Sequence, residues 1–216
     1  MTSASPAPTR SAEARALDAL ATLCQRLLAA EDELDALDRA IGDGDHGHNL
    51  SRAARRLDEV RDTLANLALP DLLRRAGSEI VMSVGGASGP LYGTLLMETG
   101  KALPVAPSLA EWATAFAAGV AGLAKRGRAA EGDKTMLDVL APASRALAVH
   151  AGGGRAAALA AMQAAGRQGL EDARPLRARR GRAAYVGERA AGADDPGAAS
   201  ALLCLSTITE LLGGES

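Results

Sequence analysis

The sequence predicts an all-α fold, a bundle of about eight helices whose neighbours run mostly antiparallel. Three observations carry this. Ala and Leu, the strongest helix formers, supply 50 and 31 of the 216 residues. Val and Ile together supply 11, and Phe, Trp and Tyr only four, so the β-branched and aromatic stock of a sheet is missing. Apolar residues recur at three- and four-residue spacing between short glycine- or proline-marked breaks. The length suits one domain with a real core, and no internal repeat or second domain is visible.

Residues 1–10, rich in Ser, Thr and Pro, read as a disordered tail, with a single domain over 11–216. A first helix starts at Ser11, with Leu17, Leu20, Cys24, Leu27 and Leu28 on one face. A short acidic helix covers Glu31 to Ala40, and the glycine-rich stretch Ile41–Asn49 must be a shaped loop. Helices are expected from His48 to Leu64 and from Pro70, at a tolerated first-turn position, to Val84. Gly85-Gly86 ends the latter, and Ser88 is expected to cap a helix from Pro90 to Leu103. Ser108 with Glu111 forms a capping box for a helix closed by Gly127. Its apolar face is Trp112, Ala115, Gly119, Val120 and Leu123. Asp133 is expected to cap a helix over 134–150, kinked or functionally ended at Pro142. After Gly152-Gly153-Gly154 comes an Ala-rich helix over 155–173 that must pack closely. A long Arg/Gly loop over 174–197 leads to a last helix over 197–212, with Ala201, Leu205, Ile208 and Leu212 inward.

Composition excludes several function classes. A formal net charge of −2 is wrong for a protein dominated by phosphate contacts to nucleic acid. Cys24 and Cys204 sit in apolar helical patterns and read as buried thiols of a reducing cytoplasm. No run of about 18 uncharged apolar residues predicts a membrane span, and no basic segment followed by an apolar stretch marks a secretory signal. Arg outnumbers Lys 21 to 3, which together with the Ala and Gly content fits a GC-rich genome as well as a function.

Four loops concentrate the Gly, Asp and Arg. In the first, Asp38, Asp43 and Asp45 lie within eight residues, the last two flanking Gly44. Carboxylates this close repel unless a cation neutralises them. A few carboxylates, with water or phosphate completing the octahedron, are what Mg²⁺ takes. The bland alternative is a solvated turn in which Asp45 caps a helix. In the second, Ser83–Gly93, small residues let a ligand approach the backbone and Ser88 precedes unpaired helix N–H groups, which suits a phosphate. A tight interhelical turn explains the same residues. The third, Gly127–Met136, is another glycine-bounded loop opening a helix. The fourth holds six arginines between positions 174 and 189. It reads either as a solvated face or as a phosphate grip on a glycine hinge.

Other motifs are decoys. Gly42-x-Gly44-x-x-Gly47 matches a dinucleotide fingerprint, but no strand precedes it and its acids repel a bare pyrophosphate. An EF-hand fails at its fifth and twelfth positions, Gly47 and Ala54. Asn49-Leu50-Ser51 is a formal glycosylation acceptor without a secretory context. No Walker A sequence occurs.

Together the segments LDRAIGDGDHGHN, SVGGASGPLYGT, GDKTMLDV and GRAAYVGERAAGADDPGA, in this order and spacing, resemble the L-type nucleotide-binding unit of dihydroxyacetone kinases. The resemblance covers roughly residues 13–213. The related module of fatty-acid kinases carries threonine after the DGD run, where this chain has His46. The resemblance implies a barrel of eight antiparallel helices with the nucleotide at one end. It implies that Asp38, Asp43 and Asp45 hold two Mg²⁺ ions bridging ADP/ATP phosphates. It also implies that His46, Gly47, His48 (by its main chain) and Asn49 lie near those phosphates. Ala87 and Ser88 meet them from the glycine-rich turn, and Gly127 and Met136 flank the adenine. Arg182, the catalytic cation, closes the site with Asp195, Pro196 and Gly197.

By the same resemblance the chain, lacking a substrate domain, is a separate subunit of a phosphoenolpyruvate-dependent kinase. A phosphohistidine carrier of the M type recharges bound ADP, and the phosphoryl group passes to dihydroxyacetone on a K-type subunit. His150, at a helix end, offers no equivalent substrate histidine. Two other readings stay open: a kinase subunit using exchangeable ATP on dihydroxyacetone or another short ketose, and a nucleotide-state-dependent partner of a transcription regulator docking through the Arg cluster.

Overall fold

The computed structural model describes residues 11–185 and 187–213 of the chain; the tail expected over 1–10 lies outside them. Among the described residues there are ten α-helices, three short 3₁₀ turns and no strand. The helices are α1 (Ala12–Ala29), α2 (Glu31–Ile41), α3 (His46–Glu59), α4 (Arg61–Ala65), α5 (Leu69–Ser83), α6 (Ser88–Ala102), α7 (Leu109–Gly127), α8 (Leu137–His150), α9 (Arg155–Ala173) and α10 (Pro196–Gly213).

Eight of them close a ring, in which α1 packs on α3, α3 on α5, and so on through α6, α7, α8, α9 and α10 back to α1. The short α2 and α4 are connectors, which is why ten helices build the eight-membered bundle that the sequence predicts. Side-chain pairs show the antiparallel order. Arg56 of α3 meets Glu79 of α5 while Arg52 reaches Ser83. On the other side of the ring Gln163 of α9 meets Ser206 of α10 while Leu159 meets Thr209. Antiparallel alternation has a topological consequence. The connections α2–α3, α5–α6, α7–α8 and α9–α10 all fall at one end of the ring, and these are the four chemistry-bearing loops.

The Ala/Leu composition sets the packing. Ala53, Ala54, Ala76, Ala113, Ala143, Ala158, Ala198 and Ala201 line the core beside Leu57, Leu72, Leu123, Leu140 and Leu205. Small residues allow backbones to touch: a methyl on Gly77 of α5 would sit 2.6 Å from the Gly93 carbonyl oxygen of α6. Helix α10 is long and apolar enough by composition to cross a membrane, yet it packs on α9, α1 and α8 as a core helix. Burial pushes the Cys24 thiol up to about 11 and Cys204 up to about 12, which keeps both protonated near neutrality.

Several boundaries differ from expectation, each for a local reason. Helix α3 begins at His46, two residues early, because the Asp38 carboxylate accepts its first N–H groups. The single helix expected to Leu64 breaks at Val60. Ser88 is the first residue of α6 rather than its cap; Ala87 stands at the cap and no side chain bonds there. Gly127 is the last residue of α7, and Arg128 takes the left-handed position with φ 49°. Asp133 does not cap α8, which starts at Leu137; its carboxylate accepts from the Ala130 N–H within the loop. The Arg/Gly stretch expected as plain loop contains 3₁₀ turns at Arg182–Tyr185 and Gly187–Ala190.

Pro142 neither ends α8 nor breaks the ring. Lacking an N–H, it leaves the Asp138 carbonyl without its i+4 donor, and α9 closes over that carbonyl at Gly169. A methyl at Gly169 would overlap the Asp138 oxygen, which is backbone and has no room to yield. Gly169→Ala should therefore destabilise the fold by about 2–3 kcal/mol. Gly152→Ala, with nothing within 4 Å, should stay within about 0.5 kcal/mol of wild type; urea unfolding of the two variants compares them.

Candidate active site

Asp38, near the C-terminal end of α2, is buried, and Asp43 and Asp45 are exposed on the following turn. Oδ2 of Asp38 accepts the backbone N–H groups of Gly44 (2.9 Å), Asp45 (2.9 Å) and His46 (3.2 Å). This one carboxylate folds the loop back on α2 and satisfies the N-terminus of α3. Asp45 stands at the cap position of α3 but makes no capping bond, so its carboxylate is left for other use. One ligand oxygen from each of Asp38, Asp43 and Asp45 lies within 4.8 Å of the others. Gly42 is required here because a methyl would overlap Asp38 Oδ1. Three converging hard oxygen donors fit Mg²⁺.

Groups whose chemistry suits an anion lie at the same end of the ring. Asn49, buried in the first turn of α3, lies against the Gly85-Gly86 turn, where a methyl on Gly86 would be 3.4 Å from its Nδ2. Next to that turn α6 begins with its first N–H groups uncapped by any side chain, and with Ser88 buried. The Nε2 of His46 is 2.9 Å from Ser200 Oγ, and Tyr92 OH is 2.7 Å from the same oxygen. Ser200 donates to the Gly197 carbonyl at 3.0 Å; with its proton so used, its oxygen accepts from Tyr92 and from a His46 ring protonated at Nε2. Burial lowers the His46 pKa, favouring that neutral ring. The triad ties α3, α6 and α10 together beside the cluster.

Arg182 reaches the aspartates directly: its Nε is 2.9 Å from Asp43 Oδ2. The loop carrying it is seated by a small apolar cluster in which Ile41 packs with Ala178, Ala183 and Ala190. Asp195 caps α10 by accepting the Ala198 N–H at 2.8 Å, with Pro196 at the first helical position. Gly197 lies against Met136, whose Cε would be 3.3 Å from a methyl there. Gly127 touches Leu91 of α6 on the same end of the ring.

Of the site residues expected from sequence, the structure thus gathers Asp38, Asp43, Asp45, His46, Gly47, Asn49, Ala87, Ser88, Gly127, Met136, Arg182, Asp195, Pro196 and Gly197 at one end of the ring. His48 points elsewhere. Its backbone N–H, expected to face phosphate, is donated to Asp35 at 3.0 Å, and its ring is 3.3 Å from Glu31. Sequence reasoning missed Ser200, which lies outside the four motifs, and Tyr92, which lies within one of them but was given no role. It also missed Asp138, which shapes the α7–α8 loop by accepting from Gly132 (2.5 Å) and Thr135 (2.7 Å).

A family model described as the DAK2 domain matches residues 40–210, and the chain belongs to that family. Within it the chain is of the DhaL type. It is 35% identical over 192 residues to the ADP-binding DhaL subunit of the PEP-dependent dihydroxyacetone kinase of Escherichia coli, covering 87% of this chain and 91% of that one. It is 39% identical over 180 residues to the corresponding subunit of kinase 1 of Listeria innocua, covering 83% and 86%. Human triokinase/FMN cyclase is 35% identical over 205 residues, but this chain spans only 36% of it. Among solved structures, the dihydroxyacetone kinase of C. freundii superposes with a TM-score of 0.72 at 26% identity, covering 97% of this chain and 38% of that longer chain.

Two measurements test this geometry. In chelator, Asp38→Ala strands three backbone donors and should cost about 3 kcal/mol in urea unfolding, whereas Asp43→Asn, at an exposed position, should stay within about 0.5 kcal/mol. Burial pushes the Asp195 carboxyl up to about 7 from its ordinary 3.8, so the fold prefers the neutral acid. Between those two pH values the folded chain retains a proton that the unfolded chain has released. Metal-free stability should therefore fall as pH rises from about 4 to 7 and level off above. Asp195→Asn, which keeps a capping oxygen, should lose that slope and gain on wild type through the same window.

Proposed function

We propose that this chain is the nucleotide-carrying, phosphoryl-relaying subunit of a phosphoenolpyruvate-dependent dihydroxyacetone kinase. The observation that supports it most is the convergence of Asp38, Asp43 and Asp45 with Arg182 at the end of the ring where α6 opens with N–H groups that no side chain caps. The names of its bacterial DhaL relatives agree with it. Asp38, Asp43 and Asp45 would hold Mg²⁺, two ions in this reading, which supplies charge neutralisation for the phosphates of ADP or ATP. The chain does the rest by positioning. The first N–H groups of α6 and the side chains of Asn49 and Ser88 orient phosphate oxygens. Gly127 and Met136 border the base, and the Asp195–Gly197 cap closes one side. The Arg182 guanidinium, held at the mouth of the cluster, stabilises charge on the phosphoryl group in transit. No residue here needs to form a covalent bond to the substrate.

A phosphohistidine carrier protein then acts as donor and a K-type subunit holding dihydroxyacetone as acceptor, with all three working in the cytoplasm. A second reading, ATP-dependent transfer to a related ketose, has support in the similarity to the L-erythrulose 1-kinase of Mycolicibacterium smegmatis, of which this chain spans 33% at 33% identity.

The test is nucleotide retention. Protein purified in Mg²⁺, desalted and denatured should release about one equivalent of ADP by chromatography; an empty protein that exchanges ATP rapidly selects the second reading. Arg182→Gln should lower the turnover of a reconstituted system by about 10²–10³-fold while ADP retention changes little.

A further inference from the structure

Lys134 is fully buried, at 0% exposure, in the α7–α8 loop. It adopts φ 60°, a left-handed conformation that glycine takes freely and lysine does not. A long cationic side chain kept at such a position, inside the protein, needs a reason, because an ammonium leaves water only at a cost. The reason lies across the loop boundary. Its Nζ donates to the backbone carbonyl of Arg174 at 2.6 Å; burial lowers its pKa, and the neighbouring acids Asp194 and Asp138 oppose that shift.

Arg174 is the hinge of the Arg-rich loop. The same carbonyl also accepts the Gly192 N–H at 2.9 Å, which closes the loop on itself. Its guanidinium grips Asp194 at 2.7 and 3.0 Å. One residue before Lys134, the Asp133 carbonyl accepts the Arg179 N–H at 3.0 Å, and the Asp133 carboxylate lies 3.3 Å from Arg180 Nε. The α7–α8 loop therefore holds both the base of the Arg-rich loop and the segment leading into Arg182, and Lys134 is the buried member of that contact.

We propose that Lys134 is a positioning residue for phosphoryl transfer: by fixing the Arg174 carbonyl it locks the 174–195 loop shut and holds Arg182 over the aspartate cluster. The role in transfer rests on the function proposed above; the locking of the loop does not. An arginine-rich loop offers trypsin many exposed sites, and a locked backbone resists the extended form that cleavage requires.

Lys134→Met keeps length and removes the ammonium. It should raise the rate of trypsin cleavage between Arg174 and Arg189 at least about tenfold. In the reconstituted kinase it should lower kcat at least about tenfold while the KM for ADP shifts less than about threefold. Loop cleavage at the wild-type rate, or a loss of kcat matched only by a lower unfolding midpoint, overturns the proposal. Hydrogen exchange on the wild-type chain decides the matter without a variant. Gly192 N–H, bonded to the locked carbonyl, should be among the most protected amides of the loop, and exchange as fast as its exposed neighbours also overturns it. If the wild-type protein binds no Mg·ADP by calorimetry, the functional reading falls, while cleavage and exchange still judge the lock.

Discussion

Three backbone N–H groups bonded to one oxygen of Asp38 organise the working end of this protein. That carboxylate turns the chain between α2 and α3 and terminates α3 on the N-terminal side. It also relieves Asp45 of the capping duty its position would otherwise impose. Without that division of labour the aspartates would be spent on the backbone. With it, Asp43 and Asp45 face solvent a few ångströms from Asp38, and Asp43 also meets Arg182. The cost is electrostatic, since like charges are forced together; under the function proposed above, a divalent cation would offset it. The loop is thus built to be incomplete by itself.

The ring of eight helices makes such a loop useful. Antiparallel neighbours send alternate connections to the same end, so four segments far apart in the chain meet there. The close helix contacts at Gly77, Gly93 and Gly169 and the alanine-lined core make the ring stiff. Stiffness matters because phosphoryl transfer is governed by position more than by covalent participation of the protein. The His46–Ser200–Tyr92 chain of hydrogen bonds and the Asp195 cap tie three ring helices to the same point, while Ile41 and Lys134 seat the arginine loop from opposite sides.

Much of this was legible in the sequence. The Ala and Leu excess and the helical spacing are sufficient for the all-α fold. The glycine-bounded loops fall together at one end of the ring, and the resemblance of four of them to one family matches the family the chain belongs to. The capping box at Ser108 and Glu111 forms as expected because both partners lie within one turn. Errors appear where a local rule met a distant partner. Ser88 and Asp133 look like caps, but Ser88 is buried and Asp133 is engaged by the arginine loop. His48 looks like a phosphate neighbour until Asp35, thirteen residues earlier, takes its N–H. Pro142 looks like a break, yet Gly169 of another helix accommodates the carbonyl it frees.

The sequence by itself determined the helices, the loops and the residue types available to each, because periodicity, glycine placement and carboxylate spacing are properties of short segments. Tertiary structure alone decided which acids stay free, which nitrogen of His46 carries the proton and why a lysine is buried at Lys134. Those outcomes depend on partners brought together by ring closure, such as Ser200 beside His46 and the Arg174 carbonyl above Lys134. Hydrogen bonds and burial act over a few ångströms in space, whatever the separation along the chain.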